Sequence, residues 1–149
     1  MTENKMIDCR LARIVMHDRS QHHYIYLEEV EHEDAASPRG FSIVIGQNEV
    51  EEIYRVVHQK ESGRPLTHQL AFTAIGALGA QFRSIDIVAL HQNTFYAQIE
   101  LRESGGSIIR IDARPSDAIA IGLRANASIR VAEPVLFEAM TDHAEPDEE

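Results

Sequence analysis

Between Phe82 and Ala113 the chain runs as three alternating apolar segments, Phe82 to Leu90, Phe95 to Glu103 and Ser107 to Ala113, separated by short polar turns. Side chains of a strand point to alternate faces, so a slip of one residue would turn every apolar group to the wrong side. Matching the apolar faces therefore fixes the pairing: Ile99 opposite Ile111 and Leu101 opposite Ile109, leaving Ser104-Gly105-Gly106 as a three-residue hairpin loop. The same rule sets Ala89 opposite Phe95 and Ile87 opposite Ala97 around His91-Gln92-Asn93. Two polar rows result on the other face: Asp86, Gln98 and Asp112 in one, Ser84, Glu100 and Arg110 in the next. Glu100 and Arg110 read as a cross-strand ion pair, with Glu100 a minor site candidate.

The flanking segments complete the architecture. Met6 to Met16 and His22 to Val30 are rich in β-branched and aromatic residues and read as strands, and Phe41 to Ile45 reads as a buried strand ended by Gly46. From Gln47 to Lys60, Val50, Ile53, Tyr54 and Val57 recur at helical spacing, with Glu49, Glu51 and Glu52 near the start, where the helix dipole favours acids. A second helix is predicted from Pro65 to Ala80, with Leu66, Leu70, Ala74, Ile75 and Leu78 inward. Its stripe of Gly76, Gly79 and Ala80 suggests close packing, either inside the monomer or against a second subunit. A third is predicted from Pro115 to Arg124, stopped at Asn126. Ile129 to Ala132 is a short strand, and Pro134 to Met140 fits a strand or a turn of helix equally. This order predicts an α+β fold: a single domain over residues 1–140 with a largely antiparallel β-sheet partly covered by about three α-helices.

At 149 residues and 44% hydrophobic, the chain suits one core. No apolar run approaches a membrane span, and the start Met1-Thr2-Glu3-Asn4-Lys5 lacks the apolar stretch of a signal peptide, so a cytoplasmic protein with no membrane partner is expected. The lone Cys9 excludes an internal disulfide and is expected to pack in a strand. The remaining histidines, apart from His68, fall mostly in turns or on polar faces and are expected at the surface. The net charge of −10 is unevenly spread: Glu133, Glu138, Asp142, Glu145, Asp147, Glu148 and Glu149 crowd the end, and residues 141–149 read as an acidic, disordered tail. From Ser62 to Ala132, Arg64, Arg83, Arg102, Arg110, Arg114, Arg124 and Arg130 outnumber Asp86, Glu100, Glu103, Asp112 and Asp117. That mild excess permits nucleic acid as a partner without predicting tight electrostatic binding of duplex DNA.

Two segments concentrate reactive groups at predicted helix starts: Arg64-Pro65-Leu66-Thr67-His68-Gln69-Leu70, and Ile111-Asp112-Ala113-Arg114-Pro115-Ser116-Asp117-Ala118-Ile119-Ala120. Proline suits a first helical position, where no N–H partner is needed, and an arginine just before it sits beside the unpaired N–H groups of the first turn. Such a start can hold an anion, or be a helix with polar caps and nothing more. These two segments resemble the bifunctional nuclease domain (BFN) family, in which R-P-x-T-H-[DN]-L is followed about forty residues later by I-D-[AS]-R-P-S-D-A-[IL]-A. The resemblance covers roughly Met6 to Met140. One departure is Gln69, at a position the family commonly fills with an acid; it weakens any metal site that would use that acid.

The resemblance implies a nuclease-like hydrolase that cleaves DNA and RNA phosphodiesters with little sequence choice. On that reading His68, Asp112 and Asp117 are the catalytic candidates, and Arg64, Arg114 and Ser116 bind the phosphate. Asp86, Asp112 and Asp117 are candidate ligands for a divalent cation, Mg or Mn. The alternative is a non-enzymatic homo-oligomeric regulatory or interaction module, in which the same Arg and Asp residues form structural ion pairs.

Overall fold

The structure is a computed structural model and describes residues 4–17, 22–30 and 37–142. Its elements are β1 (Met6–Val15), β2 (His23–Glu29), β3 (Gly40–Ile45), α1 (Gln47–Val57), α2 (Thr67–Ala77), β4 (Gln81–His91), β5 (Thr94–Arg102), β6 (Ile108–Ala113), α3 (Pro115–Gly122), a 3-10 turn (Leu123–Ala125), β7 (Ser128–Ala132) and α4 (Glu133–Asp142). The strands make one sheet ordered β3-β2-β1-β7-β4-β5-β6. Every neighbouring pair is antiparallel except β4 and β7, which are parallel because the chain crosses over through α3 between them. The α+β class with a largely antiparallel sheet therefore stands: one parallel pair makes the sheet mixed, and the described residues hold four helices where about three were expected. The ambiguous segment after Pro134 is the fourth, because Val135, Leu136 and Ala139 are buried at helical spacing. Of the tail expected over residues 141–149, Thr141 and Asp142 belong to α4, and 143–149 lie outside the described residues.

The sheet is strongly curled. Five strand spacings separate β3 from β5 in the order, about 24 Å in a flat sheet. Yet Phe41 of β3 and Phe95 of β5 stack with ring centroids 5.3 Å apart. The curl encloses a core of Ile7, Ile25, Leu27, Phe41, Ile85, Ile87, Ile99 and Val131. α3 lies against β4 and β5, and α4 against β3, β4 and β7, so both add apolar side chains to that core. No helix among the described residues is long and apolar enough to cross a membrane.

The register predicted for the last hairpin is the one observed, with Ile99 opposite Ile111, Leu101 opposite Ile109, and both polar rows in place. Its loop closes through Glu103 N–H donating to the Ser107 carbonyl at 2.8 Å, with Gly106 at φ 94°. The β4–β5 hairpin differs at its tip. A bulge between Ile87 and Ala89 shifts the pairing to Ala89–Tyr96 and Leu90–Phe95. The turn is then only Gln92-Asn93, both at positive φ (49° and 64°), as a type I′ turn requires. His23 is also corrected: it is buried, and its Nδ1 accepts the His17 backbone N–H at 3.2 Å. Cys9 is a buried strand residue, as expected.

The second helix departs most from expectation. It begins at Thr67, with Leu66 extended (φ −92°, ψ 177°), so Pro65 does not occupy the first helical position and Arg64 stands outside the helix. Its half-buried face carries His68, Ala71, Phe72 and Ile75, while Leu70 and Leu78 are exposed. Phe72 anchors it by stacking on Phe82 of β4, centroids 5.4 Å apart. Gly76 has open space around its Cα, so it permits no close approach inside the monomer.

α3 is held hardest against the sheet at Gly122. A Cβ there would stand 2.6 Å from Cγ1 of Ile85 and closer still to its Cδ1, and Ile85 is fully buried. Replacing a helical glycine by alanine ordinarily stabilises by up to about 1 kcal/mol through backbone entropy. Overpacking a filled core costs about 1–3 kcal/mol, so the clash decides the sign. Gly122→Ala is expected to lower the thermal unfolding midpoint, read by circular dichroism, whereas Gly76→Ala should leave it unchanged or raise it.

Candidate functional site

α3 is the element from which the site is built. Arg114 is its extended N-cap (φ −66°, ψ 146°) and Pro115 its first helical residue. Pro115, Ser116 and the whole run from Ala118 to Gly122 are buried, and Asp117 alone is not. Asp117 therefore emerges from the buried helix at its first turn, where the macrodipole favours a carboxylate. Facing it across the α2–α3 contact, His68 places Nε2 2.8 Å from Asp117 Oδ1. Arg114 grips the same carboxylate through Nε at 2.8 Å and Nη2 at 3.2 Å, and also donates Nη2 to Glu49 Oε1 of α1 at 2.8 Å. One chain of charges thus runs Glu49–Arg114–Asp117–His68 and joins α1, α3 and α2.

These groups open onto a cleft of about 720 Å3 lined by Glu49, Glu51, Glu52, Arg55, Leu66, Thr67, His68, Arg114 and Asp117, with Asn48, Ala71 and Ile121. On the other side of Arg114 a second cleft of about 550 Å3 takes in Gly46, Asn93, Thr94, Phe95, Pro115 and Ser116. Arg114 is thus the cation common to both openings. Among the described residues its Nε and Nη2 are bonded and its Nη1 is not.

Ionisation of the group follows from its partners. Burial acts against the charged form of Asp117, but hydrogen bonds from Arg114 and His68 outweigh it and hold the carboxyl below the ordinary aspartate range. The same two acids raise the Arg114 pKa, chiefly through the hydrogen bond to Asp117 and then that to Glu49. An ionised Asp117 has no proton to donate, so the 2.8 Å contact makes His68 Nε2 the donor and leaves Nδ1 as the ring's free nitrogen. Deeper in the wall, Glu52 is almost fully buried and is held by Arg55, at 2.9 Å, and by Arg124. Burial opposes its charge as well, and the bonds from Arg124 and Arg55 prevail, lowering its pKa.

The other residues nominated by the sequence lie elsewhere. Asp112 is exposed on β6, in the row with Gln98 and Asp86 on the face of the sheet turned away from α3. Asp86 is buried in that row and clamped by Arg130 through two bonds of 2.7 Å. The structure thus does not bring Asp86, Asp112 and Asp117 into one volume. The six residues from Asp112 to Asp117 pass from an outward strand position, around the sheet end, into a helix on the opposite face. Arg64 is exposed before α2 and does not line the cleft. Ser116 is buried and faces the second cleft, and Gln69 is half-buried beside His68.

A divalent cation does not fit the donors as they stand. Asp117 and Glu49 share Arg114, Glu52 is held by two arginines, and no group of three or more His, Cys, Asp or Glu side chains among the described residues is disposed to hold a metal. Sequence reasoning missed Glu49, Glu52, Arg55 and Arg124. Their only local signal is the i, i+3 spacing of Glu52 and Arg55, since Arg114 and Arg124 arrive from distant parts of the chain.

The lowered carboxyl pKa values of Asp117 and Glu52 have a direct consequence for stability. Their unfolded forms bind protons more readily than their folded forms, so each contribution is complete above the ordinary carboxylate range of roughly pH 4. It is lost as pH falls through the lower folded values. The thermal midpoint should therefore drop on acidification below about pH 4, and Asp117→Asn with Glu52→Gln should flatten that part of the profile while lowering stability at neutral pH.

A family model described as the bifunctional nuclease domain matches residues 27–144. Over 106 residues the chain is 40% identical to the uncharacterized protein MT1877 of Mycobacterium tuberculosis (strain CDC 1551 / Oshkosh) and, to the same degree, to the uncharacterized protein Rv1829 of strain ATCC 25618 / H37Rv. The match takes in 71% of this chain and 62% of each relative, so the chain spans less than two thirds of the curated relatives it matches. With most of the chain under one family model, and both the His68 and Asp117 segments inside the match, this protein belongs to the bifunctional nuclease domain family.

Proposed function

We propose that the protein is a nuclease that hydrolyses DNA or RNA phosphodiester bonds with little sequence choice, at the cleft between α1, α2 and α3. The observation that carries this reading is the Asp117–His68 contact beside Arg114 in an open cleft, in a chain of this family. Asp117 orients the imidazole through Nε2 and stabilises it when charged. Nδ1 takes a proton from the attacking water, whose oxygen bonds to phosphorus as the ester P–O bond breaks. The imidazolium then returns its proton to the departing oxygen. Arg114 is placed to bind the phosphate and offset its growing charge, and Ser116 lines the neighbouring cleft on the same side of it. The lining of the main cleft holds four acids (Glu49, Glu51, Glu52, Asp117) and two arginines (Arg55, Arg114), so a strand is best received from the Arg114 side and held weakly.

One observation favours a second reading. Arg114, Asp117 and Glu52 already have opposite-charge partners, and a network that only fastens three helices would look the same. Cleavage of labelled single-stranded DNA and RNA separates the two readings, assayed with magnesium, with manganese and with chelator. His68→Ala and Asp117→Asn should each lower the rate about 100-fold or more, the usual worth of a positioned base. Asp112→Ala, on the opposite face of the sheet, should stay within about twofold of wild type by the same reasoning. Equal residual cleavage by all four proteins assigns the activity to a contaminant and leaves the structural network standing.

A further inference from the structure

The face of the sheet turned away from α3 carries a further cleft, of about 470 Å3. Its charged lining is Arg83, Arg110 and Arg130 against Asp86 and Glu100, an excess of cation where the main cleft has an excess of acid. Asp8 and Asp112 stand on the same face but do not line it. Three strands supply the arginines. Arg110 of β6 lies opposite Glu100 in the ladder, and Arg130 of β7 lies opposite Asp86. Arg83 arrives by a different route. It is the extra residue of a bulge in β4, between the Phe82–Leu101 and Ser84–Glu100 pairs. Regular alternation sends successive residues to opposite faces, but the bulge turns Arg83 to the same face as Ser84, where its Nε stands 3.8 Å from Glu100 Oε2.

The protein's own acids leave many of these donors unused. Asp86 accepts two N–H groups of Arg130 at 2.7 Å each. Glu100 is buried among all three guanidiniums, yet only Arg110 Nη2 approaches it, at 3.2 Å. Arg130 Nη2, like Arg83 Nε, remains 3.8 Å away, beyond hydrogen-bond reach. The side chains of Arg83 and Arg110 stay 52% and 56% exposed. Opposite Glu100, the Ser84 hydroxyl is buried and has no hydrogen-bond partner among the described residues, so this polar layer is not closed by the groups that form it. A carboxylate offers two oxygens in one plane and cannot meet three guanidiniums arriving from three strands. A tetrahedral oxyanion can. We propose that this cleft binds a phosphate group, at a site separate from the main cleft and independent of the nuclease reading. Arg83 and Arg110 clamp the anion from β4 and β6, the two strands that flank Glu100 on β5, and Arg130, fixed by Asp86, adds its charge. Glu100 is a resident negative charge against which the phosphate binds, so it keeps the site weak and sets its affinity.

The test follows the backbone amide NMR spectrum of the full chain during titration with inorganic phosphate and, separately, with a nucleoside 5′-monophosphate, at constant ionic strength. Saturable shifts are expected at Arg83, Ser84, Glu100 and Arg110. Arg83→Gln and Arg110→Gln should each weaken binding there about tenfold, the loss of a charge-assisted hydrogen bond. Glu100→Gln should act in the opposite direction and tighten binding about tenfold, because it frees the arginines and removes the resident charge. An ion-pair network that is only structural has no reason to move phosphate affinity in either direction. Shifts around Arg114, at the other two clefts, should be the same in Arg83→Gln as in wild type, which keeps this site distinct from the one proposed for cleavage. Circular dichroism of each variant confirms that the fold is intact, a control needed because Glu100 is buried. Equal affinity for the two ligands means that the phosphate group alone is read, and a tighter nucleotide means that its sugar or base adds contacts; both sustain the site. No saturable shift on this face with either ligand at millimolar concentration would overturn the proposal. So would arginine variants that bind as tightly as wild type, or a folded Glu100→Gln protein that binds no tighter.

Discussion

The burial of α3 governs this molecule. Seven of its eight residues are inside, and Gly122 lies so close to Ile85 that the helix has no freedom to roll on the sheet. With every other position fixed in the core, Asp117 has one direction left, toward α2. His68 and Arg114 take up their places around that carboxylate, and Glu49 joins through Arg114. The site is therefore a consequence of core packing: the residue that does not fit inside the sheet's cover becomes the centre of the cleft.

Electrostatics then determine what that centre can do. A carboxylate held by a guanidinium stays ionised despite partial burial, and an ionised carboxylate beside a histidine fixes which ring nitrogen carries the proton. Those conditions suit an oriented base. They suit a divalent cation poorly, because the acids of the cleft already share arginines. The same compensation operates on the far side of the sheet, where Arg130 neutralises the buried Asp86 and Glu100 draws in Arg110 at 3.2 Å. Two separate sets of opposed charges, one on each side of β4 and β5, together with the Arg39–Glu29 pair, explain how a chain of net charge −10 buries acids at all.

Much of this was legible in the chain. The β5–β6 register could be written down because Ile99, Leu101, Ile109 and Ile111 alternate without interruption, and the turn glycines leave one loop length. The β4–β5 tip escaped the same rule because a bulge adds a residue to one strand only, and the alternation does not reveal which. The start of α2 was misplaced because an Arg-Pro pair is compatible with a helix start without requiring one. At Arg114-Pro115 the helix begins as expected, and at Arg64-Pro65 it waits until Thr67.

By itself the sequence determined the fold class, two of the six strand pairings, the family and three of the groups at the centre of the site, His68, Arg114 and Asp117. These depend on local periodicity and on contiguous motifs. Only the tertiary structure decided that Asp112 and Asp117 part company while Glu49 and Arg114, 65 positions apart, meet. The reason is geometric. Direction reverses across the end of a strand, so neighbours in the chain can face opposite sides of a sheet, whereas helix packing brings together residues that share nothing in sequence but charge.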